Sequence, residues 1–413
     1  MIRLCATATV VLSFCGVGLL AENWPRFRGP NGQGISRATT VPTKITEDQF
    51  NWRVRLPGSG HGSPVVWGNR IFLVCAKKSA ERLVVCLDAE SGRQLWARAF
   101  DSQPHRMHKF NHYGASTPVV DAERVYLTWV TPKKITLMAL DHDGKPVWQR
   151  QDLGGFKSQH GGGTSPMLYK DRVILTNDQL GPSYLLAVDA ATGENRWKIQ
   201  RRNDGRKTAY AVPCVYTGPD GKDQLVFMSS SNGVSGHDPA TGKQLWAVPG
   251  AFDLRVVSSP VIAGGLIFGS CGRGGGGTQF VAVKPGDFQG RGASLAYEIK
   301  KRIPYVPTAV AHDGKLYIVS DSGIMMCLDP ATGKTSWAGQ RLDGSFFGSP
   351  VVAGGHIYLM SREGTLFVIK ADPAAFRLIH KHDLGEMTYA TPAVAGGRMY
   401  LRTKNHLISV GGK

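Results

Sequence analysis

The chain of 413 residues is poor in cysteine and in charged residues, and each shortage excludes a class of protein. Charged residues make up only 19% of the chain against 42% hydrophobic residues, which excludes a disordered protein. Seven cysteines are present, and two of them lie within the first 21 residues. The other five form no Cys-x-x-Cys pair, which argues against a disulfide framework or a zinc site. We expect buried free thiols instead.

A long apolar run occurs only at the N-terminus, where Arg3 precedes the apolar residues 4–20 and Ala21 ends a plausible cleavage site. This pattern predicts a secretory signal peptide over residues 1–21. An uncleaved membrane anchor is the alternative. No other stretch approaches the ~20 apolar residues that span a bilayer. We therefore expect an exported protein, periplasmic or extracellular, with no transmembrane span after removal of the signal.

Acidic residues are scarce, since 31 of them face 48 basic residues once the signal is removed, a net charge of +17. Such an excess favours anionic partners, such as an acidic polymer or a membrane surface. The alternative is a diffuse surface charge without a specific partner. No long Lys/Arg run and no basic helix pattern is present, which argues against nucleic acid. We expect a monomer.

Glycine and proline, in contrast, are abundant, with 51 and 23 residues, and the prolines mark a repeat. A proline that follows a small or β-branched residue and precedes apolar residues recurs at intervals of 42 to 54 residues, at Pro64, Pro118, Pro166, Pro213, Pro260, Pro307, Pro350 and Pro392. Eight units of this length predict an all-β fold, an eight-bladed β-propeller.

Each unit contains four strand signals separated by turns. In the fourth unit, strands are predicted at 213–216, 224–228, 234–237 and 243–246, with Asn232-Gly233 as a hairpin turn. Only three strands follow Pro392, so we expect residues 51–55 to pair with the last blade and close the ring. The predicted domains are the signal at 1–21, an extended N-terminal segment at 22–49 and the propeller at 50–413.

A tryptophan follows the last turn of most units, as in Asp238…Gly242…Trp246. Twisted sheets splay apart away from the axis, so a tryptophan on the outer strand can fill the gap between blades. We predict this structural docking role for Trp52, Trp96, Trp148, Trp197, Trp246 and Trp337. Tyr297 and Ile379 stand near that position in the fifth and seventh units.

This repeat resembles the pyrroloquinoline-quinone (PQQ) type of propeller repeat over residues 50 to 413. That family includes quinoprotein alcohol dehydrogenases and the propeller lipoprotein of the outer-membrane β-barrel assembly machine. The N-terminal run from Asn23 to Gly32 further resembles exported single-propeller proteins of this type. The resemblance implies the fold, whereas the functions within the family differ.

Loops that enter the blades of a propeller gather around the axis on one face, and such loops carry binding residues. The position three before each repeat proline holds His61, Ala115, Gly163, Tyr210, Val257, Pro304, Phe347 and Tyr389. We add the neighbouring His112, Tyr113, His160, Arg255 and Tyr305, and Arg273 from a glycine-rich hairpin. These residues predict an aromatic, histidine-rich ligand site at a funnel mouth. The alternative is that they only fill the channel.

Two further patterns leave an enzyme open. The histidines between His105 and His112 could converge on a metal, although Arg106 and Lys109 would repel a cation. The resemblance to quinoprotein dehydrogenases implies PQQ held beside Ca²⁺ by Glu and Asn ligands, with adjacent cysteines. This sequence has no adjacent cysteines and no acidic residue among the eight ring positions.

We therefore favour a non-catalytic binding or scaffolding propeller that needs no cofactor and captures a protein, peptide or anionic glycan at the funnel face. Outer-membrane protein assembly is one such role. The alternative is a PQQ- and calcium-dependent alcohol or sugar dehydrogenase.

Overall fold

Eight antiparallel sheets surround one axis in the computed structural model, which describes residues 22–204 and 207–412. The predicted all-β, eight-bladed propeller is confirmed. The only helices in these ranges are two 3₁₀ turns, Pro30–Gly32 and Glu47–Gln49, and neither is long or apolar enough to cross a membrane. The predicted signal peptide lies outside the described residues.

The strands follow one another blade by blade. The first four blades comprise Val65–Trp67, Arg70–Ala76, Arg82–Asp88 and Gln94–Phe100; Val119–Val120, Arg124–Val130, Ile135–Asp141 and Pro146–Arg150; Met167–Tyr169, Arg172–Asn177, Ser183–Asp189 and Asn195–Arg201; Cys214–Thr217, Asp223–Ser229, Gly233–His237 and Gln244–Val248. The last four comprise Arg255–Val256, Val261–Ala263, Leu266–Arg273, Gly276–Lys284 and Ser294–Ile299; Val310–His312, Lys315–Val319, Ile324–Leu328 and Thr335–Arg341; Val351–Ala353, His356–Met360, Thr365–Lys370 and Leu378–Asp383; Ala393–Ala395, Arg398–Arg402, His406–Gly411 and Phe50–Arg55.

The burial of each strand follows its place in the blade. The central strands Arg70–Ala76 and Arg82–Asp88 are buried along nearly their whole length, because neighbouring blades cover both of their faces. The outer strand Gln94–Phe100 is half-buried or exposed. Continuous apolar runs in the central strands are what this packing requires.

The ring closes where the sequence predicts. Phe50–Arg55 pairs antiparallel with His406–Gly411, so the first strand of the described residues becomes the outer strand of the eighth blade. This pairing gives the eighth blade its fourth strand, so neither end of the ring is left with an incomplete sheet.

A belt of hydrogen bonds joins the inner ends of the blades. The residue two positions before each inner strand (Val261–Ala263 in the fifth blade) carries a hydroxyl in seven blades. That hydroxyl accepts a hydrogen bond of 2.9–3.0 Å from the backbone N–H of the equivalent residue one blade earlier. The eight positions, in ring order, are Ser63, Thr117, Ser165, Val212, Ser259, Thr308, Ser349 and Thr391. Only Val212 lacks a hydroxyl, so the belt has one gap.

The belt shows that the repeat position predicted for the sixth blade is wrong. Thr308 holds the belt position and the inner strand begins at Val310, so Ala309 is the equivalent of the repeat prolines and Pro307 lies two residues before it. The corresponding ring residue is therefore Val306 rather than Pro304. The prediction took Pro307 as the repeat residue because Pro307, like Ala309, stands shortly before an apolar strand.

The tryptophans of the outer strands dock onto the turn of the next blade. The Trp197 indole donates a 3.1 Å hydrogen bond to the Pro239 carbonyl oxygen and packs on Gly242. The same kind of bond joins Trp52, Trp96, Trp148 and Trp337 to backbone carbonyls of the next blade. Trp246 packs on Gly286 and donates to Gln224 of its own blade. Tyr297 replaces the tryptophan in the fifth blade, whereas Ile379 in the seventh is 45% exposed.

The N-terminal segment closes one end of the axial channel. Residues 22–36, which we call the plug, make hydrogen bonds with all eight blades. The Arg28 guanidinium is fully buried and donates only to backbone carbonyl oxygens, among them those of Thr308, Ala309 and Pro350. Burial lowers the pKa of Arg28 to about 9. Gly29 has φ +67 and lies directly against the Trp24 ring.

Candidate functional site

A cavity of about 510 Å³ lies on the axis above the plug. Phe27 of the plug and the belt residues line its lower part, and the exposed hairpin turn Gly274–Gly275 lies at its rim. The volume falls within the range of small-molecule and cofactor pockets, ~300–1,000 Å³. The cavity is therefore a blind funnel, closed by the N-terminal segment and open at the opposite face.

Seven of the ten predicted ligand-binding residues line this cavity. They are His61, His160, Tyr210, Arg255, Tyr305, Phe347 and Tyr389. His112 and Tyr113 line a separate cleft of about 30 Å³ beside it. Arg273 lines neither space and is exposed at the end of its strand, while the next two glycines reach the rim.

Arg255 is positioned by an irregularity of the fifth blade. The inner strand of that blade is interrupted, and the short strand Arg255–Val256 pairs with Gly272 and Cys271. Arg255 is only 7% exposed, and its guanidinium donates to Tyr305 Oη at 3.3 Å and to Gln159 Oε1 at 2.7 Å. No carboxylate of the described residues lies within ion-pair distance of it. A buried cation without an anionic partner is costly unless a ligand supplies the opposite charge.

His61 and His160 of the cavity carry no charge at neutral pH. Burial and the positive charge of Arg255 lower the pKa of His160 to about 4. Burial and its neighbour His112 lower the pKa of His61 to about 3. The Nδ1 atoms of His61 and His160 and the Nε atom of Arg255 are buried and have no hydrogen-bond partner among the described residues. Such groups are rare in folded proteins and call for an explanation.

Three aromatic side chains form an apolar wall of the cavity, in contrast to the charged Arg255. The rings of Phe347 and Tyr389 meet edge to face at 5.0 Å, and Phe110 lies 5.6 Å from Phe347. The Arg362 guanidinium lies over all three rings, at 4.3–5.2 Å from their centroids, and donates to Tyr389 Oη. Cation–π contacts of this kind hold the three rings in place.

Sequence reasoning missed two of these residues. Phe110 stands between His105 and His112, in a segment whose histidines suggest a metal site, and Arg362 belongs to a hairpin turn with no distinguishing pattern. Phe27 was noticed only as part of a resemblance, because nothing local to it shows that it forms the cavity floor.

Asp321 fixes the loop that carries Tyr305. Its buried carboxylate accepts hydrogen bonds from the backbone N–H groups of Tyr305 and Val306 at 2.6 and 3.2 Å. Burial raises the pKa of Asp321 to about 7. This carboxylate does not line the cavity.

The cavity does not fit a calcium-held quinone. Calcium takes several oxygen ligands, usually including carboxylates. No carboxylate occurs among the described residues that line the cavity, and the only permanent charge there is the cation Arg255. No group of three or more His, Cys, Asp or Glu residues suited to a metal occurs in residues 22–204 and 207–412.

Comparisons with known sequences place the chain among propeller proteins. The family described as outer membrane protein assembly factor BamB matches residues 37–212, 184–338 and 292–408. The BamB of Burkholderia pseudomallei is 23% identical over 374 residues, which cover 86% of this chain and 87% of that protein. The BamB of Yersinia pestis is 22% identical and covers 82% of this chain and 83% of its own length.

Solved structures show the same fold with different activities. The quinohemoprotein alcohol dehydrogenase of Comamonas testosteroni has a TM-score of 0.67 at 13% identity and covers 95% of this chain and 80% of its own. BamB from Moraxella catarrhalis has a TM-score of 0.61 at 13% identity and covers 88% and 96%. At this identity the likeness establishes the fold alone.

Proposed function

Because the chain belongs to the family of outer membrane protein assembly factor BamB, we propose that it is an exported, periplasmic propeller that binds a polypeptide partner at the cavity face without turning it over. The partner is an outer-membrane protein, or a component of its assembly, that is not yet folded or assembled. The two relatives of the family that cover more than four fifths of the chain support this class of function.

The observation that carries the proposal is the chemistry of the cavity. Aromatic residues and arginine are enriched where protein surfaces contribute most to binding energy. The cavity presents the Phe110–Phe347–Tyr389 wall together with the buried Arg255, which forms no ion pair with the described residues. Its volume accommodates part of a partner chain rather than a folded domain.

The charge of the chain supports the same proposal. A net charge of +18 for the full sequence produces a positive field that raises the association rate of anionic partners and is screened by salt. Binding to an acidic unfolded chain is therefore expected to weaken as ionic strength rises.

A binding measurement tests the proposal directly. Immobilised residues 22–413 are exposed to an urea-denatured outer-membrane β-barrel protein, diluted out of urea, and the affinity is measured by surface plasmon resonance at increasing salt. We expect Arg255→Glu to weaken binding by about tenfold or more, because it places a like charge against an anionic partner. Arg377→Glu, on the exposed side of the seventh blade and outside the cavity, is the matched control and leaves the affinity unchanged.

Equal affinity of the wild type and of Arg255→Glu for the denatured protein would contradict the proposal. Alcohol-dependent dye reduction after addition of PQQ and Ca²⁺ would also overturn the proposal, since it would make the protein an oxidoreductase.

A further inference from the structure

We propose that the cavity receives the free C-terminal end of a polypeptide, with its carboxylate paired to Arg255 and its last side chain against the aromatic wall. This inference rests on the proposed function, because it names the part of the partner that enters the site. It follows from the shape of the cavity, its charge and its polar atoms without hydrogen-bond partners.

The shape excludes a chain that passes through the propeller. The plug spans the axis and is anchored to every blade, and Phe27 forms the floor. A threaded or internal segment would have to enter and turn back within about 510 Å³. A chain end, in contrast, enters a blind cavity without a turn.

The charge selects which end of the chain enters. Arg255 is the one permanently charged side chain among the described residues of the lining, and none of them is a carboxylate. An N-terminal ammonium would therefore meet a cation and no acceptor of opposite charge. A C-terminal carboxylate forms a charge-assisted pair with the guanidinium, which is a strong interaction in a buried site.

Polar atoms without a hydrogen-bond partner lie on Arg255 and beside it. The Nε atom of Arg255 and the Nδ1 atom of His160 are buried and unpaired among the described residues. Arg255 and His160 are close enough that the guanidinium lowers the pKa of the imidazole. A carboxylate offers two oxygens with about four lone pairs, so it can accept from more than one donor.

The aromatic wall selects the last side chain. Phe110, Phe347 and Tyr389 present apolar ring surface to the cavity, and Arg362 behind them holds their arrangement. Aromatic pairs gain from edge-to-face contact beyond the burial of their area. A terminal Phe, Tyr, Trp or Leu therefore fits better than a terminal Gly or Asp.

The experiment uses three peptides that carry fluorescein at the N-terminus and differ only at the C-terminal end. They are Gly-Ser-Gly-Ser-Gly-Phe with a free carboxylate, the same peptide as the C-terminal amide, and a version that ends in Gly with a free carboxylate. Fluorescence anisotropy with residues 22–413 measures each affinity. We expect the Phe acid to bind about tenfold or more tightly than either other peptide.

Variants locate the contact. Arg255→Gln is expected to lower the affinity for the Phe acid to that for the amide, and Arg255→Lys, which keeps a cation, to lower it less. Arg377→Gln is the control and leaves all three affinities unchanged. Thermal unfolding of each variant verifies that it is folded, and the acid–amide comparison on the wild type does not depend on any variant.

Three results would overturn the inference while leaving the proposed function in place. The acid and the amide could bind equally well, with both losing affinity in Phe347→Ala. No peptide could bind although the denatured outer-membrane protein still does so in an Arg255-dependent way. Finally, N-acetylphenylalanine could bind as tightly as the Phe peptide, which would assign the cavity to a small aromatic acid instead of a chain end.

Discussion

The backbone N–H of Thr391 donates a 3.0 Å hydrogen bond to the Ser63 hydroxyl, although 328 positions separate the two residues. This bond joins the eighth blade to the first at the axis, while the pairing of Phe50–Arg55 with His406–Gly411 joins the chain ends at the rim. The ring is therefore closed twice. The inner closure is one of seven equivalent bonds, and the eighth is absent because Val212 carries no hydroxyl.

Val212→Thr is expected to complete the belt. The substitution keeps the β-branched shape and places a hydroxyl where the backbone N–H of Ser165 can donate to it. A net gain of about 0.5–1.5 kcal/mol in the free energy of unfolding is expected from one hydrogen bond, measured by urea denaturation. Val212→Ala, which removes packing and adds no acceptor, is the control and should destabilise. A loss in Val212→Thr as large as that in Val212→Ala would contradict the geometry of the belt.

Substitutions at Gly242 and Gly250 form a matched pair that tests whether Trp197 docks on the turn of the next blade. Both have φ +73, so alanine pays the same backbone cost at either site, about 1–2 kcal/mol. A Cβ atom at Gly242 would lie 2.6 Å from the Trp197 ring, whereas one at Gly250 meets nothing within 4 Å. We expect Gly242→Ala to lower the free energy of unfolding by about 1–3 kcal/mol more than Gly250→Ala. Equal losses at the two glycines would show that the indole does not dock on this turn.

Substitution of Arg28 measures how much the plug contributes to the free energy of unfolding. Lysine keeps the positive charge but cannot donate from a planar fork to carbonyl oxygens of the sixth and seventh blades at once. We expect Arg28→Lys to lower the free energy of unfolding by roughly 2–4 kcal/mol, since buried carbonyl groups lose charged donors. Arg37→Lys, at an exposed residue just after the plug, is the control and should change it by less than about 0.5 kcal/mol. A small effect at Arg28 would mean that the plug is dispensable for folding.

The fold could be predicted because its signals are local and repeated. Pro213 marks the start of a strand, Asn232-Gly233 and Asp238…Gly242 each mark a turn, and the recurrence of such signals gives the number of blades. Closure by residues 51–55 followed from counting strands. The single error of alignment, Pro307 for Ala309, arose where a second proline stood near the repeat position.

The site was only partly predictable because its members come from distant parts of the chain. The position three before each repeat proline located His61, Tyr210, Phe347 and Tyr389 at the cavity, since equivalent residues of a ring face one axis. The floor residue Phe27 comes from outside the repeat, and Arg362 acts through the rings that it covers. Arg273 is exposed and lies outside the lining, although the hairpin turn Gly274–Gly275 that follows it reaches the rim.

His237 is expected to make the stability of the fold sensitive to acid. Its ring is 1% exposed and makes hydrogen bonds with the Gly242 carbonyl oxygen and the Ser235 hydroxyl. Burial lowers its pKa to about 4 from the ordinary value of 6.5. The unfolded chain therefore binds the proton first as the pH falls. The stability that His237 contributes is fully present above pH 6.5 and is lost as the pH falls toward 4.

The measurement is urea denaturation of the wild type and of His237→Gln at several values between pH 7.5 and 4. Other groups titrate in this window in both directions, among them His160 and Asp321, so the stability of the wild type alone does not isolate one residue. Glutamine does not titrate, and the difference between the two proteins therefore reports His237. We expect this difference to shrink by up to roughly 3 kcal/mol on acidification. A difference that stays constant with pH would mean that the His237 ring titrates normally in the folded protein.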